Sequence, residues 1–271
     1  MMTSAHHQND KDALAASLLA LQMSGVTKKE IPMSFEGKKI VVLGGSSGIG
    51  LAIAKAAGRE GAKLVVASSN QARVNEALKR LPPGAEGQAV DLGNEAAIAA
   101  LFAQIGPFDH LAYTAADKLQ LNRLADTDLA TARKFYELRY WGALAAVKYA
   151  SPNIRPGGSI VLTSGLAGLR PHAGWALGAS VCGAVEGLTR ALAVELAPIR
   201  VNAVAPGVVV SPLWDDMTEV DRTTLYRQTA ERLLVRHVGE TEEVAEAYLY
   251  LMRQTYSTGT VLRVDGGGAL V

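Results

Sequence analysis

The segment Gly44-Gly45-Ser46-Ser47-Gly48-Ile49-Gly50 has the composition of an anion site. It follows the apolar run KKIVVL at 38–43 and opens the helical pattern GIGLAIAKAAGREG. Glycine lets a backbone approach a phosphate closely, and a helix start offers unpaired N–H groups at the positive end of its dipole. In this strand-to-helix setting the string reads as a dinucleotide fingerprint rather than a simple turn. A second group of residues can act on a substrate. Ser164 closes the run GSIVLTS, and the loop behind it, GLAGLRPHAGWALG, projects His172 and Trp175 between the turn formers Pro171 and Gly174. His172 can move a proton near neutral pH, and it reads equally well as a solvated loop residue. Trp175 and Trp214 offer an aromatic wall to a flat or cationic substrate. Trp141 reads as core or interface. Arg139, in FYELRYWGALAA, brings a permanent fork-shaped cation. Tyr113, Tyr136 and Tyr140 are either substitute acids or structural. Cys182, the single cysteine, sits in an Ala-rich helical window and reads as a small buried apolar residue. His110, His172 and His237 are scattered, so no metal-ligand spacing is present.

The elements that must position these residues are legible. Apolar runs at 38–43, 63–68, 87–91, 108–114, 158–164, 199–207 and 259–267 alternate with helical patterns. Continuous Val/Ile/Leu runs mark strands covered on both faces. Strand–helix alternation implies right-handed crossovers and a Rossmann-type α/β fold, a doubly wound, mostly parallel sheet of seven strands. The polar stretch 211–236, helical in pattern, interrupts the alternation before the last strand and reads either as a surface helical pair without substrate contact or, by the resemblance given below, as a substrate lid. With 271 residues, 49% of them apolar, one domain is expected over 35–271. A net charge of +1 without basic clusters points away from nucleic acid and from a membrane surface, and no apolar run is expected to span a bilayer. One cysteine fits a reducing cytoplasm. Residues 1–34 read as a helical or disordered extension; ALAASLLAL at 13–21 lacks the basic flank of a signal segment, because Asp10 and Asp12 offset Lys11.

LGGSSGIG at 43–50, EGLTRALAVEL at 186–196, VNAVAPGVVVS at 201–211 and TGTVLRVDGG at 258–267 together resemble the short-chain dehydrogenase/reductase family from about residue 35 onward. The resemblance implies a nicotinamide cofactor bound by Gly44, Ser46, Ser47, Gly48, Ile49 and Gly50, with Asp91 and Leu92 beside the adenine. It further implies that Ala115 and Ala116 continue a backbone motif whose first half is replaced by Tyr113 and Thr114. Pro206, Gly207, Val208, Val209 and Ser211 are expected against the nicotinamide. At the end of the second strand stand Ser68, Ser69 and Asn70, where NAD-specific proteins place a carboxylate. Without that acid a 2′-phosphate is not repelled, and Arg73 is the nearest cation, so NADP(H) is favoured over NAD(H).

The same resemblance exposes a departure. The family's Tyr-x-x-x-Lys would fall on Gly178 and Cys182, and its helix Asn on Arg139, which leaves Ser164 as the retained member of four. The segment Pro171-His172-Ala173-Gly174-Trp175 is similar to the Pro-Asp-Pro-Gly-Trp of reductases that act on iminium ions in alkaloid pathways, with His172 and Ala173 in place of Asp and Pro. The expected function is an NADP(H)-dependent reductase of a small carbonyl, imine or iminium compound, working without the usual proton relay through Ser164, Arg139, His172 and Trp175. The alternatives are a catalytically silent NADP(H)-binding scaffold or sensor, and a cyclase or lyase that keeps the cofactor as scaffold. The resemblance also implies a homodimer or homotetramer built on the helices that carry Arg139 and Cys182.

Overall fold

A computed structural model describes residues 34–119 and 121–271. The expected extension therefore lies outside the described residues, apart from Ser34.

Five of the strands that build the sheet are β1 (Lys39–Leu43), β2 (Lys63–Ser68), β3 (Glu86–Ala89), β4 (Phe108–Tyr113) and β5 (Ile154–Thr163). Four more follow as β6 (Arg200–Pro206), the two-residue β7 (Val209–Val210) and β8 (Gly239–Glu240), and β9 (Val261–Val264). Seven of them form one sheet in the order β3-β2-β1-β4-β5-β6-β9, and every pairing in it is parallel. The expected doubly wound sheet is thus found, with strand ends within about two residues of expectation in most cases. The largest deviation is β5, which begins at Ile154 because its irregular start, through Pro156 and Gly157, still reaches Phe108 across a register shift.

Helices flank both faces. They are α1 (Gly48–Arg59), α2 (Gln71–Leu78), α3 (Glu95–Ile105), α4 (Leu129–Tyr136), α5 (Gly142–Ala150), α6 (Ala176–Glu195), α7 (Glu219–Arg232) and α8 (Thr241–Arg253). Alternate residues of one strand feed different layers, as the period of two demands. Ile40 and Val42 join the cluster with α1 and α8, while Val41 and Leu43 join the cluster with α3, α5 and α6. The strand order reverses between β1 and β4, so a crevice opens there at the strands' carboxyl ends, the place where open α/β sheets bind ligands.

Two expectations change. The stretch 211–236 holds one turn at Pro212–Trp214 and one helix, α7, instead of a helical pair. Met217 and Thr218 break the pattern, and Thr218 caps α7 by accepting the Asp221 amide. In addition α6, with 20 residues and a mean hydropathy of 1.3, is long and apolar enough to cross a membrane by length and composition. Scattered small residues gave no continuous apolar run to the eye. In this fold α6 buries Val181, Val185, Thr189 and Leu192 on one side.

Candidate active site

The crevice is built first from glycine. Gly44 has φ +87°, and a Cβ there would lie 2.6 Å from the Ala115 amide nitrogen. A Cβ on Gly50 would lie 2.3 Å from the Gly44 carbonyl oxygen. The loop after β1 is therefore folded tightly enough onto the end of β4 that side chains at 44 and 50 are excluded. Gly48, at φ +51°, faces outward, and a Cβ there would meet Pro212 at 3.6 Å and Ser211 at 3.9 Å. This brings the start of the 211–236 stretch over the glycine loop.

The N-terminus of α1 differs from its neighbours. Asn70, Asn94, Asp128 and Thr218 cap their helices with side-chain acceptors, whereas Ser47 makes no such bond. The opening N–H groups of α1 therefore point into the crevice without a side-chain acceptor, as an anion site requires. Ser46 donates its hydroxyl hydrogen to Ser68 at 2.8 Å, which joins the loop to the end of β2. Ser69 and Arg73 are exposed beside it. Asn70 accepts the Arg73 amide at 3.0 Å, so its oxygen serves the α2 cap and its NH2 group is left for a ligand. Asp91 is exposed and accepts from the Gly93 amide, while Leu92 is buried. Pro206, Gly207 and Val208 are half-buried after β6, Val209 is buried, and Ser211 is half-buried. No acidic residue stands at the end of β2. These groups fit the pyrophosphate and ribose of a dinucleotide, with the glycine contacts as the geometric warrant.

Beyond this half lies the region of Ser164, Cys182 and Arg139. Ser164 is 9% exposed at the end of β5, tied by its amide to Val204. Its hydroxyl donates to a Glu186 carboxylate oxygen at 3.0 Å and lies 3.4 Å from the Cys182 carbonyl. Gly178 is buried, yet a Cβ there would meet nothing within 4 Å, so the first atom of a side chain has room. The Cys182 thiol packs against the loop after β5, with would-be Cβ atoms on Gly165 and Gly168 at 3.2 Å from its sulfur and 3.0 Å from its Cβ. Burial pushes its pKa up, and the nearby Ser164 hydroxyl and Arg139 cation oppose that rise without overcoming it. A raised thiol pKa disfavours the reactive thiolate, but Cys182 is half-buried and not fully buried as expected.

Arg139 lies in a π-helical turn, Glu137–Trp141, between α4 and α5. Such turns re-aim a side chain by inserting an extra residue. Its side chain is 16% exposed and pairs through Nε with Asp117 Oδ1 at 3.0 Å, while a second nitrogen bonds the Asp117 carbonyl. The guanidinium also lies 4.5 Å from the centre of the Phe135 ring. Burial lowers its pKa, and Asp117, Cys182 and Tyr113 pull the other way. Arg139 thus points inward, close enough to Cys182 for their charges to interact, and pairs with an acid from its own chain. Asp117 is the residue that sequence reasoning missed. It lies in the loop after β4, and nothing in the spacing of 117 and 139 signals that they meet.

The other singled-out residues fall into place. Tyr113 is buried and donates to the Leu138 carbonyl, and burial raises its pKa. Tyr136 donates to Ser180 at 2.7 Å. Tyr140 stands edge-on to Trp141. His172 is exposed and meets Trp175 edge-on, with ring centres 6.0 Å apart, so the loop presents both together. Trp214 corrects the aromatic-wall expectation. It is 5% exposed and spends its indole N–H on the Val209 carbonyl at 3.0 Å, so it anchors the turn at Pro212–Trp214 instead of lining the crevice. Trp141 is 53% exposed, which removes the core alternative. Lys118, beside Asp117, bonds Asp216 and ties the loop after β4 to the 211–236 stretch. Among the described residues no group of three His, Cys, Asp or Glu is arranged to hold a metal ion.

A family profile described as Enoyl-(Acyl carrier protein) reductase matches residues 44–268. The chain is similar to short-chain dehydrogenase/reductase ATR9 of Stachybotrys chlorohalonatus, with 40% identity over 255 residues that span 88% of this chain and 99% of that one. It is also similar to the crystal structure of a small-chain dehydrogenase in complex with NADPH, with 35% identity, a TM-score of 0.78, and 86% and 99% of the two chains covered. A third likeness is to the MalC reductase/Diels-Alderase of Malbranchea aurantiaca, with 31% identity, a TM-score of 0.80, and 86% and 96% covered.

Proposed function

The chain belongs to the short-chain dehydrogenase/reductase family of oxidoreductases, and from that premise we propose that it is an NADP(H)-dependent reductase that works without a Tyr/Lys proton relay. The observation that carries this reading is the pairing of an intact dinucleotide crevice with a reaction end in which Gly178 and Cys182 stand where the relay would be. NADPH bound in the crevice supplies hydride. Gly44, Ser46, Ser47, Gly48, Ile49 and Gly50 would hold its pyrophosphate, and Ser68, Ser69, Asn70 and Arg73 its 2′-phosphate. Asp91 and Leu92 would border the adenine, and Ala115, Ala116, Pro206, Gly207, Val208, Val209 and Ser211 the nicotinamide end. The NADPH held by the similar small-chain dehydrogenase supports the same choice.

At the reaction end Arg139 and Asp117 form a unit whose charges offset each other, and Ser164 faces the substrate. His172 and Trp175 form its loop wall. A substrate that already carries positive charge on nitrogen needs no proton when its carbon accepts hydride, so loss of the relay costs nothing for an iminium acceptor. Placement and electrostatics then supply the rate. A neutral carbonyl would need His172 or water as proton source. Titration of the purified chain with NADPH and with NADH tests the cofactor half. Tighter binding of NADPH, followed by its oxidation with cyclic imines, is the expected result; binding of neither nucleotide would end the reading.

A second reading draws support from the reductase/Diels-Alderase named above. In it the bound cofactor is scaffold and the crevice folds a substrate for ring closure. Product formation without nicotinamide oxidation would favour it. Both readings include a homodimer or homotetramer. Support comes from Leu129 and Trp141, 64% and 53% exposed, which line a groove of about 400 Å³ with Tyr136 and Leu177 on α4 and α6.

A further inference from the structure

Ser164 has one hydrogen to give and lone pairs to accept with. Both of its hydrogen-bond partners in this structure are acceptors, the Glu186 carboxylate at 3.0 Å and the Cys182 carbonyl at 3.4 Å. The hydrogen is therefore committed to the protein, and what the hydroxyl has left to offer a substrate is lone-pair density. A carbonyl oxygen needs a donor and finds none there. A protonated nitrogen brings its own hydrogen and fits.

The charges nearby agree in sign. The cation that the family places at residue 182 is gone, and Arg139 is engaged with Asp117, so that pair is neutral as a unit. Glu186 is half-buried and lines a cleft of about 270 Å³ behind the loop after β5. Arg190 and Arg263 line the same cleft, but both are exposed, and none of the ion pairs among the described residues includes Glu186. A hydrogen bond that ends on a carboxylate is stronger than a neutral one, and it polarises the next bond in the chain. Ser164 oxygen is thereby made a better acceptor.

We propose that Glu186 is a positioning residue that holds Ser164 as a hydrogen-bond acceptor, so that the substrate end of the crevice selects a protonated imine or amine nitrogen over a carbonyl oxygen. This rests on the reductase reading above and gives it a substrate class.

The test is binding to the full chain loaded with saturating NADPH, measured by calorimetry at neutral pH. The probes are tetrahydroisoquinoline, protonated under those conditions, and β-tetralone, which shares its bicyclic skeleton and carries C=O in place of the charged N–H group. The wild-type chain is expected to bind the amine at least about tenfold more tightly, the scale of one charge-assisted hydrogen bond. Glu186→Leu removes the carboxylate acceptor, frees the Ser164 hydrogen for a carbonyl probe, and is expected to bring the ratio to within about threefold of unity. Ser164→Ala is expected to do the same by removing the acceptor, with NADPH affinity unchanged in the Glu186 variant. An amine preference that survives in either variant, equal binding of the two probes by the wild type, or failure of the amine to bind would overturn the proposal. The preceding NADPH titration separates this from failure of the cofactor reading, since a chain that binds no NADPH removes both, whereas one that binds NADPH and shows no amine preference removes only the Glu186 proposal.

Discussion

At the residue scale, the strongest constraints are steric. A Cβ on Gly50 would lie 2.3 Å from the Gly44 carbonyl oxygen, which leaves no room for even a methyl group. Gly50→Ala is therefore expected to push the loop off its place and weaken NADPH binding by about tenfold or more, read by tryptophan quenching, because a phosphate cradle tolerates little displacement. Arg139 is a different kind of constraint. Its fork joins Asp117 through both the side chain and the backbone. Arg139→Ala is expected to cost about 1 to 3 kcal/mol in urea unfolding, chiefly from leaving Asp117 unpaired, and to lower kcat/KM with the cognate imine by about tenfold or more. Arg139→Lys should recover little of either, since an ammonium cannot bridge two acceptors in a fork. Full turnover and NADPH affinity in Arg139→Ala would remove Arg139 from the site.

The elements are held by polar groups that do no chemistry. Arg200, on β6, donates to the carbonyls of Leu251 and Met252 at 2.7 and 2.8 Å and so closes the C-terminal end of α8. A cation there meets both unpaired carbonyls and the negative end of the dipole. Arg200→Met is expected to destabilise the chain by about 2 to 4 kcal/mol without changing the Kd for NADPH. On β4, His110 bonds Ser159 at 2.9 Å and is 5% exposed. Burial lowers its pKa from 6.5 to about 3, with Asp109 opposing and Arg200 and Lys38 adding to the fall. The folded chain thus binds fewer protons at this site than the unfolded chain does. The stability this contributes is complete above about pH 6.5 and is lost as pH falls toward 3. His110→Gln should flatten that limb of a plot of urea midpoint against pH, and an unchanged limb would show that other groups carry it. These interactions are invisible in the sequence, because Arg200 to Leu251 and His110 to Ser159 are pairs that only the sheet order creates.

At the scale of the whole molecule, the proposed assembly would use the exposed groove on α4 and α6. Trp141→Glu is expected to lower the assembly state in light scattering, from dimer or tetramer toward monomer, while circular dichroism stays the same. A wild-type chain that is already monomeric would dispose of the assembly proposal.

What the sequence by itself determined is the frame. Strand–helix alternation required a parallel sheet, because continuous apolar runs can only be covered on both faces. The glycine string, placed between a strand and a helix, marked the anion site. The expectation that Gly178 and Cys182 stand in place of a Tyr and a Lys came from the family resemblance of EGLTRALAVEL, not from spacing alone. What only the tertiary structure decided is which side chains meet around that helix. Asp117 meets Arg139 across 22 residues, and Ser164 meets Glu186 across another 22. Trp214 turned inward because its indole N–H found the Val209 carbonyl. Local periodicity carries the burial pattern of each element, but a side-chain partner on another element is set by the crossing of the chain. In this protein the pairs Arg139–Asp117 and Ser164–Glu186 lie at those crossings.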